Sequence, residues 1–193
     1  MAFTLQLGET APDFELPGVG GRTYSLADFA DASILVVAFS CNHCPYAIGS
    51  EDRMIALCED YVPRGLRMIT ISSNETENHP TDSFEHMVDR AREKGFNFPY
   101  VWDESQEVAL AYGALRTPHF YVFDADRKLR YTGHLDDNPR AADQATTREL
   151  RDAVEALLEG RPVAVELTNP IGCNVKWKDQ DAHWMPAAAC DLV

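Results

Sequence analysis

The sequence predicts an α/β domain: a central mixed β-sheet flanked by helices, led by an N-terminal hairpin and followed by a C-terminal extension. Three observations carry this reading. Apolar, β-branched runs alternate with stretches of helical periodicity in the order β-α-β-α-β-α-β-β-α. Strands separated by helices return parallel, and the final β-β step adds an antiparallel edge. With 193 residues, 45% of them hydrophobic, the chain can bury one full core.

The elements follow in order. Residues 14–16 and 22–24 flank Pro17-Gly18-Val19-Gly20-Gly21, a strong turn signal, and form a hairpin. Ser25 caps a short helical turn. Residues 34–39, Ile-Leu-Val-Val-Ala-Phe, read as a buried strand. A long helix starts at Pro45, carries Met54, Ile55, Cys58, Tyr61 and Val62 at helical spacing, and ends at Pro63 and Gly65. Residues 66–72 form the next strand, and 74–80 a polar loop. A helix over 83–94 stops at Gly95. Residues 98–102 are extended, and 105–112 form a short helix ended by Gly113. Residues 115–124 and 129–133 make a second hairpin. An amphipathic helix over 147–159 ends at Gly160. From 161 the composition changes: Pro162, Pro170 and Pro186 break any helical period, and Ile171-Gly172-Cys173-Asn174-Val175-Lys176-Trp177-Lys178 stands out as a dense patch. The expected organisation is a domain over residues 1–160 with residues 161–193 packed upon it.

Charge and cysteine usage narrow the function. A net charge of −14, from 31 acidic and 17 basic residues, argues against nucleic acid and anionic membrane as partners. The longest apolar run is far short of the roughly 20 residues a membrane helix needs. The start of the chain has neither a basic segment nor an apolar core region, so the expected location is the cytoplasm. Five cysteines without regular spacing are not a secreted disulfide framework. Asn74-Glu75-Thr76 matches a glycosylation sequon that has no meaning in that setting.

The chemistry concentrates at Cys41-Asn42-His43-Cys44-Pro45, between the strand and the long helix. Pro45 suits the first helical position, which makes Cys44 the N-cap. A sulfur there meets unpaired N–H groups and the positive end of the helix dipole, which favour thiolate, the reactive form. Cys41 is close enough to form a disulfide with it. Attack by one thiolate on a substrate disulfide and resolution by the second thiol is the chemistry of such a pair. His43, when protonated, would favour the thiolate further. Two buried structural cysteines are the plain alternative. A zinc site would need four ligands, and no second C-x-x-C or H-x-x-x-H is present, so neither metal nor organic cofactor is expected. Thr117-Pro118 precedes a buried strand. By spacing alone it is either an ordinary first strand position or a cis-proline that offers an edge to an extended substrate. Cys58 lies on the apolar helix face and reads as core, and Cys190 as a free surface thiol. Cys173 is open between two readings: a bystander in a tail anchored by Trp177 and Ile171, or a third redox thiol beside the active site.

Together these residues bring a family into view. The chain resembles the thioredoxin-like superfamily in its peroxiredoxin-like branch, the alkyl hydroperoxide reductase/thiol-specific antioxidant (redoxin) group with its thiol-disulfide oxidoreductase relatives. The resemblance rests on residues 8–16 (Gly-Glu-Thr-Ala-Pro-Asp-Phe-Glu-Leu), the strand ending at Phe39, the cysteines, Tyr112-Gly113, Thr117-Pro118 and the hairpin carrying Asp124 and Gly133. It implies a thioredoxin-like fold and makes Thr117-Pro118 the superfamily's cis-proline motif. Counted from Phe39, the thioredoxin nucleophile corresponds to Cys44, the resolving position is Ala47, and the buried acid is replaced by Ala38. The peroxiredoxin pattern P-x-x-x-T-x-x-C, read back from Cys44, meets Val37 and Cys41, and its arginine falls near Pro118, close to Arg116.

The expected activity is therefore thiol-disulfide oxidoreduction. Cys44 attacks, Cys41 resolves, Thr117 and Pro118 bind substrate, and His43, Pro45 and Cys173 are modulators. The substrate would be a protein or small-molecule disulfide, and the reductant a thioredoxin or low-molecular-weight thiol. A peroxiredoxin-like thiol peroxidase is the second reading, and a metal-binding or redox-sensing module the third.

Overall fold

The strand of residues 34–40 is apolar on both faces, as a strand covered on both sides must be. The computed structural model, which describes residues 3–181, 183–186 and 189, builds the molecule around it. In chain order the elements are β1 (Glu15–Pro17), β2 (Thr23–Ser25), β3 (Ile34–Ser40), α1 (Pro45–Tyr61), β4 (Leu66–Ser72), α2 (Phe84–Lys94), β5 (Tyr100–Trp102), α3 (Glu107–Tyr112), β6 (Arg116–Thr117), β7 (His119–Phe123), β8 (Leu129–Gly133), α4 (Glu149–Leu158) and β9 (Cys173–Asn174). The central sheet has the order β5-β4-β3-β7-β8. β3 pairs parallel with β4, and β4 with β5. β7 joins β3 antiparallel, and β8 closes the hairpin. This is the mixed sheet expected from the element order, in the thioredoxin-like arrangement that the resemblance implies.

Period-2 alternation along β3 divides the core. Leu35, Val37 and Phe39 face a layer containing Phe14, Ile69, Ile71, Tyr112 and Tyr121. Val36 and Ala38 face α1 and α4 through Met54, Leu57, Cys58, Leu150 and Val154. Cys58 is buried there as expected, and burial beside Glu59 pushes its thiol up to about 12. Gly113, at φ 62, ends α3 where the chain crosses against Phe3 and Thr4, and a Cβ would lie 2.5 Å from Thr4 Cα. Thr4 Oγ1 in turn donates to the Gly113 carbonyl.

Val175 and Trp177, among the described residues after 160, share the core of the sheet, buried in the layer of Phe39 and Tyr112. The Trp177 ring packs edge-on against Phe3 and Trp184. Before them, β9 pairs antiparallel with β6, opposing Thr117 to Cys173 and Arg116 to Asn174. Cys190 lies outside the described residues.

Candidate active site

The site forms where β3 ends and α1 begins, because sheet topology brings the start of β7 beside the end of β3. Phe39 pairs with His119, so the preceding Thr117-Pro118 lies against the loop of residues 41–44. The Thr117-Pro118 peptide is cis, as the resemblance implies. Cys44 caps α1 in extended conformation (φ −70, ψ 122), with Pro45 at the first helical position. Cys41, Cys44 and Ala47 form a small buried cluster with Cys173 and Tyr46 packed against it. The sites expected at Cys41, Cys44, Thr117 and Pro118 thus come together, and Cys173 joins them.

The two thiols of the pair differ sharply. Cys41 donates a hydrogen bond to Cys44, the largest of the influences that draw Cys44 down to about 4. Burial opposes this, but a side-chain hydrogen bond from Cys173 and the backbone N–H groups of Ala47 and Cys173 act with Cys41. The Thr117 carbonyl, 3.0 Å from Cys44 Sγ, accepts from the thiol form and so favours it; the several donors outweigh this single acceptor. Cys41 is pushed the other way. It is buried, faces the Cys44 sulfur, and lies in the field of Asp82, all of which raise its pKa well above the ordinary thiol range. Its Sγ is 3.3 Å from Thr117 Oγ1. The result is one thiolate and one thiol in contact, both shielded from solvent.

The charged neighbour is a residue the sequence reading did not select. Asp82 is fully buried. It accepts from the Asn42 N–H (2.8 Å) and Asn74 Nδ2 (2.8 Å), and pairs with His43 Nδ1 (2.7 Å). Burial alone would raise its pKa; these donors reverse that and lower it. Its hydrogen bond in turn raises His43, which favours an imidazolium near the Cys44 thiolate. His43 stacks on His79 at 5.3 Å, and His79 Nδ1 meets Glu75 Oε1 at 2.6 Å. The signal for Asp82 was weak: an acid between the polar loop and the next helix, 38 positions after Cys44, joined to it only by the fold. Asn74 is turned inward, where it also accepts from the Lys176 N–H; a buried side chain of this kind explains why the sequon around it carries no meaning.

Cys41 Sγ, His43 and Asp82 offer three donors within 4.8 Å of one another, the group among the described residues that could hold a metal. The Asp82 carboxylate already accepts from three donors, and burial together with the facing Cys44 sulfur raises the Cys41 thiol. His119 and His134 are directed elsewhere. His119 is buried between the Leu115 N–H and Thr132 Oγ1. Burial, aided by Arg116, pulls its pKa down to about 3. His134 Nδ1 meets the Asn169 carbonyl. Arg116, close to the peroxiredoxin arginine position, spends its guanidinium on the Asn174 side chain and the Gly172 carbonyl.

Comparison with known proteins agrees with this architecture. An uncharacterized conserved protein from Geobacillus kaustophilus is 42% identical, with a TM-score of 0.86, over 93% of this chain and 96% of that one. The hypothetical protein SMc02350 from Sinorhizobium meliloti is 38% identical, also with a TM-score of 0.86, over 93% and 98%. The thiol-disulfide oxidoreductase ResA from Geobacillus thermodenitrificans is 25% identical over 126 residues, 64% of this chain and 67% of that protein. No helix among the described residues is long and apolar enough to cross a membrane. Residues 7–132, which hold the sheet, both cysteines of the pair and the cis-proline, match the AhpC/TSA family, and the chain belongs to that family of thioredoxin-like redoxins.

Proposed function

We propose that the protein is a thiol-disulfide oxidoreductase. The observation that carries this is the buried contact of Cys41 with Cys44, the residue that caps the start of α1, with donors around Cys44 that lower its pKa. Cys44 attacks one sulfur of a substrate disulfide, and the other sulfur leaves as a thiolate. Cys41 then gives up its proton and attacks Cys44 sulfur, which releases the second substrate thiol and closes a Cys41–Cys44 disulfide. The substrate gains two electrons and the pair loses them. Pro45 leaves the N-terminal turn of α1 free to face Cys44, and His43, charged through Asp82, adds a positive field. Thr117 and Pro118 hold whatever lies opposite the sulfurs. A thioredoxin or a low-molecular-weight thiol restores the dithiol, which requires a reducing compartment such as the cytoplasm.

The test compares disulfide reduction with peroxide consumption for wild type, Cys41→Ser and Cys44→Ser. Disulfide reduction should vanish in Cys44→Ser, and a variant with both Cys41→Ser and Cys173→Ser should accumulate a mixed disulfide at Cys44. Full disulfide-reducing activity in Cys44→Ser would overturn the mechanism. Peroxide consumption exceeding disulfide reduction would assign the peroxidase instead.

A further inference from the structure

The edge of β6 is where an extended polypeptide would add a strand beside the cis-proline. In this molecule that edge is already taken. β9 pairs with it and sets Cys173 directly opposite Thr117, so the chain's own cysteine occupies the place of a substrate cysteine, against Cys44. The strand is held at both ends. Upstream, the Thr168 N–H donates to the Thr132 carbonyl and Thr168 Oγ1 accepts from the His134 N–H. Downstream, Val175 N–H donates to the Leu115 carbonyl, and Gln106 holds both the Lys176 carbonyl and the Lys178 N–H. Arg116 grips Asn174 and Gly172 from β6. Gly172 is where only a glycine fits: a Cβ there would lie 2.6 Å from the Thr117 carbonyl carbon.

Of the three sulfurs, Cys44 and Cys41 are shielded from solvent, and Cys173 is partly exposed. We infer that Cys173 is a third redox thiol, an internal substrate through which the buried pair exchanges electrons with a low-molecular-weight thiol rather than with a polypeptide. This rests on Cys44 being the nucleophile proposed above. Cys173 loses its proton and attacks the Cys44 sulfur of the Cys41–Cys44 disulfide. The Cys44–Cys173 bond forms, and Cys41 leaves and takes up a proton, so no electrons are gained or lost. A small external thiol then attacks the accessible Cys173 sulfur and expels Cys44. Cys44 is the better leaving thiolate of the two, because the Cys41 thiol and the Ala47 N–H at the helix start donate to it, whereas burial pushes Cys173 up. A second external thiol frees Cys173, giving the small disulfide and the reduced protein.

Two measurements test this. Cys41→Ser oxidised with one equivalent of bis(2-hydroxyethyl) disulfide should yield a Cys44–Cys173 disulfide by peptide mass mapping; recovery of Cys173 as free thiol would overturn the inference without needing a Cys173 variant. Oxidised Cys173→Ser should be re-reduced by 2-mercaptoethanol roughly ten-fold or more slowly than oxidised wild type, and equal rates would overturn it. If either fails while Cys44→Ser is inactive, Cys173 is a bystander and the oxidoreductase reading stands. If Cys44→Ser retains full activity, the oxidoreductase reading itself falls. Oxidised wild type should also be re-reduced roughly ten-fold or more faster by 2-mercaptoethanol than by an equal concentration of a reduced dithiol polypeptide; equal rates would overturn the small-molecule assignment.

Discussion

Cys44 is a buried sulfur whose charge is set by what donates to it. Cys41, Cys173 and the N–H groups of Ala47 and Cys173 hold it as a thiolate down to about pH 4. Its ultraviolet thiolate absorbance should therefore titrate near 4 in the reduced protein, and that step should be missing from Cys44→Ser. The folded-state pKa lies below the ordinary thiol value. The stability it contributes is thus complete above the ordinary thiol range, shrinks as pH falls and is gone below about 4. His43 has the opposite sign. The Asp82 hydrogen bond raises it, so its contribution is full below the ordinary imidazole range and lost as pH rises through the folded value. Asp82→Asn removes the chief cause. The His43 titration, followed by NMR, should then move to lower pH, and an unmoved titration would show that another group holds the charge.

The two-stranded pairing of β6 with β9 joins the cis-proline to the extension. Its geometry depends on Gly172, which lets the backbone pass against the Thr117 carbonyl. Gly172→Ala should force β9 away from β6 and cost about 1–3 kcal/mol, the range for overpacking a filled site. Hydrogen exchange should show lost protection at Val175, whose N–H donates to the Leu115 carbonyl. Unchanged protection there would mean that the pairing tolerates the methyl. The long helix is set by other means. Glu51, buried on α1, meets Arg90 of α2 through two hydrogen bonds of 2.8 and 2.5 Å, which fixes the helix that presents Cys44.

At the scale of the molecule, the extension closes the core rather than decorating it. Trp177 and Val175 share a layer with Phe39 and Tyr112. Trp177→Ala should lower unfolding stability by about 3–5 kcal/mol, within one cooperative denaturant transition. A transition of residues up to 160 left unshifted by this change would show that the extension folds on its own account.

How much of this was legible beforehand varies with the distance over which each interaction acts. Local chemistry was readable. The apolar run of β3, Pro45 after Cys44, Ser83 and Gly95 at the ends of α2, and the glycine closing α3 each act within a few residues, so periodicity and capping identify them. The shifted C-x-x-C pair was readable for the same reason. What only the tertiary structure decided is which distant groups converge upon it. Asp82 reaches His43 across 39 positions and Cys173 reaches Thr117 across 56, and no local pattern encodes either separation. A thiol's reactivity is decided by its donors and by its exposure. The sequence by itself determined that two thiols stand at a strand-to-helix junction; the fold decided that both are buried, what charges surround them, and that a third, partly exposed thiol packs against them.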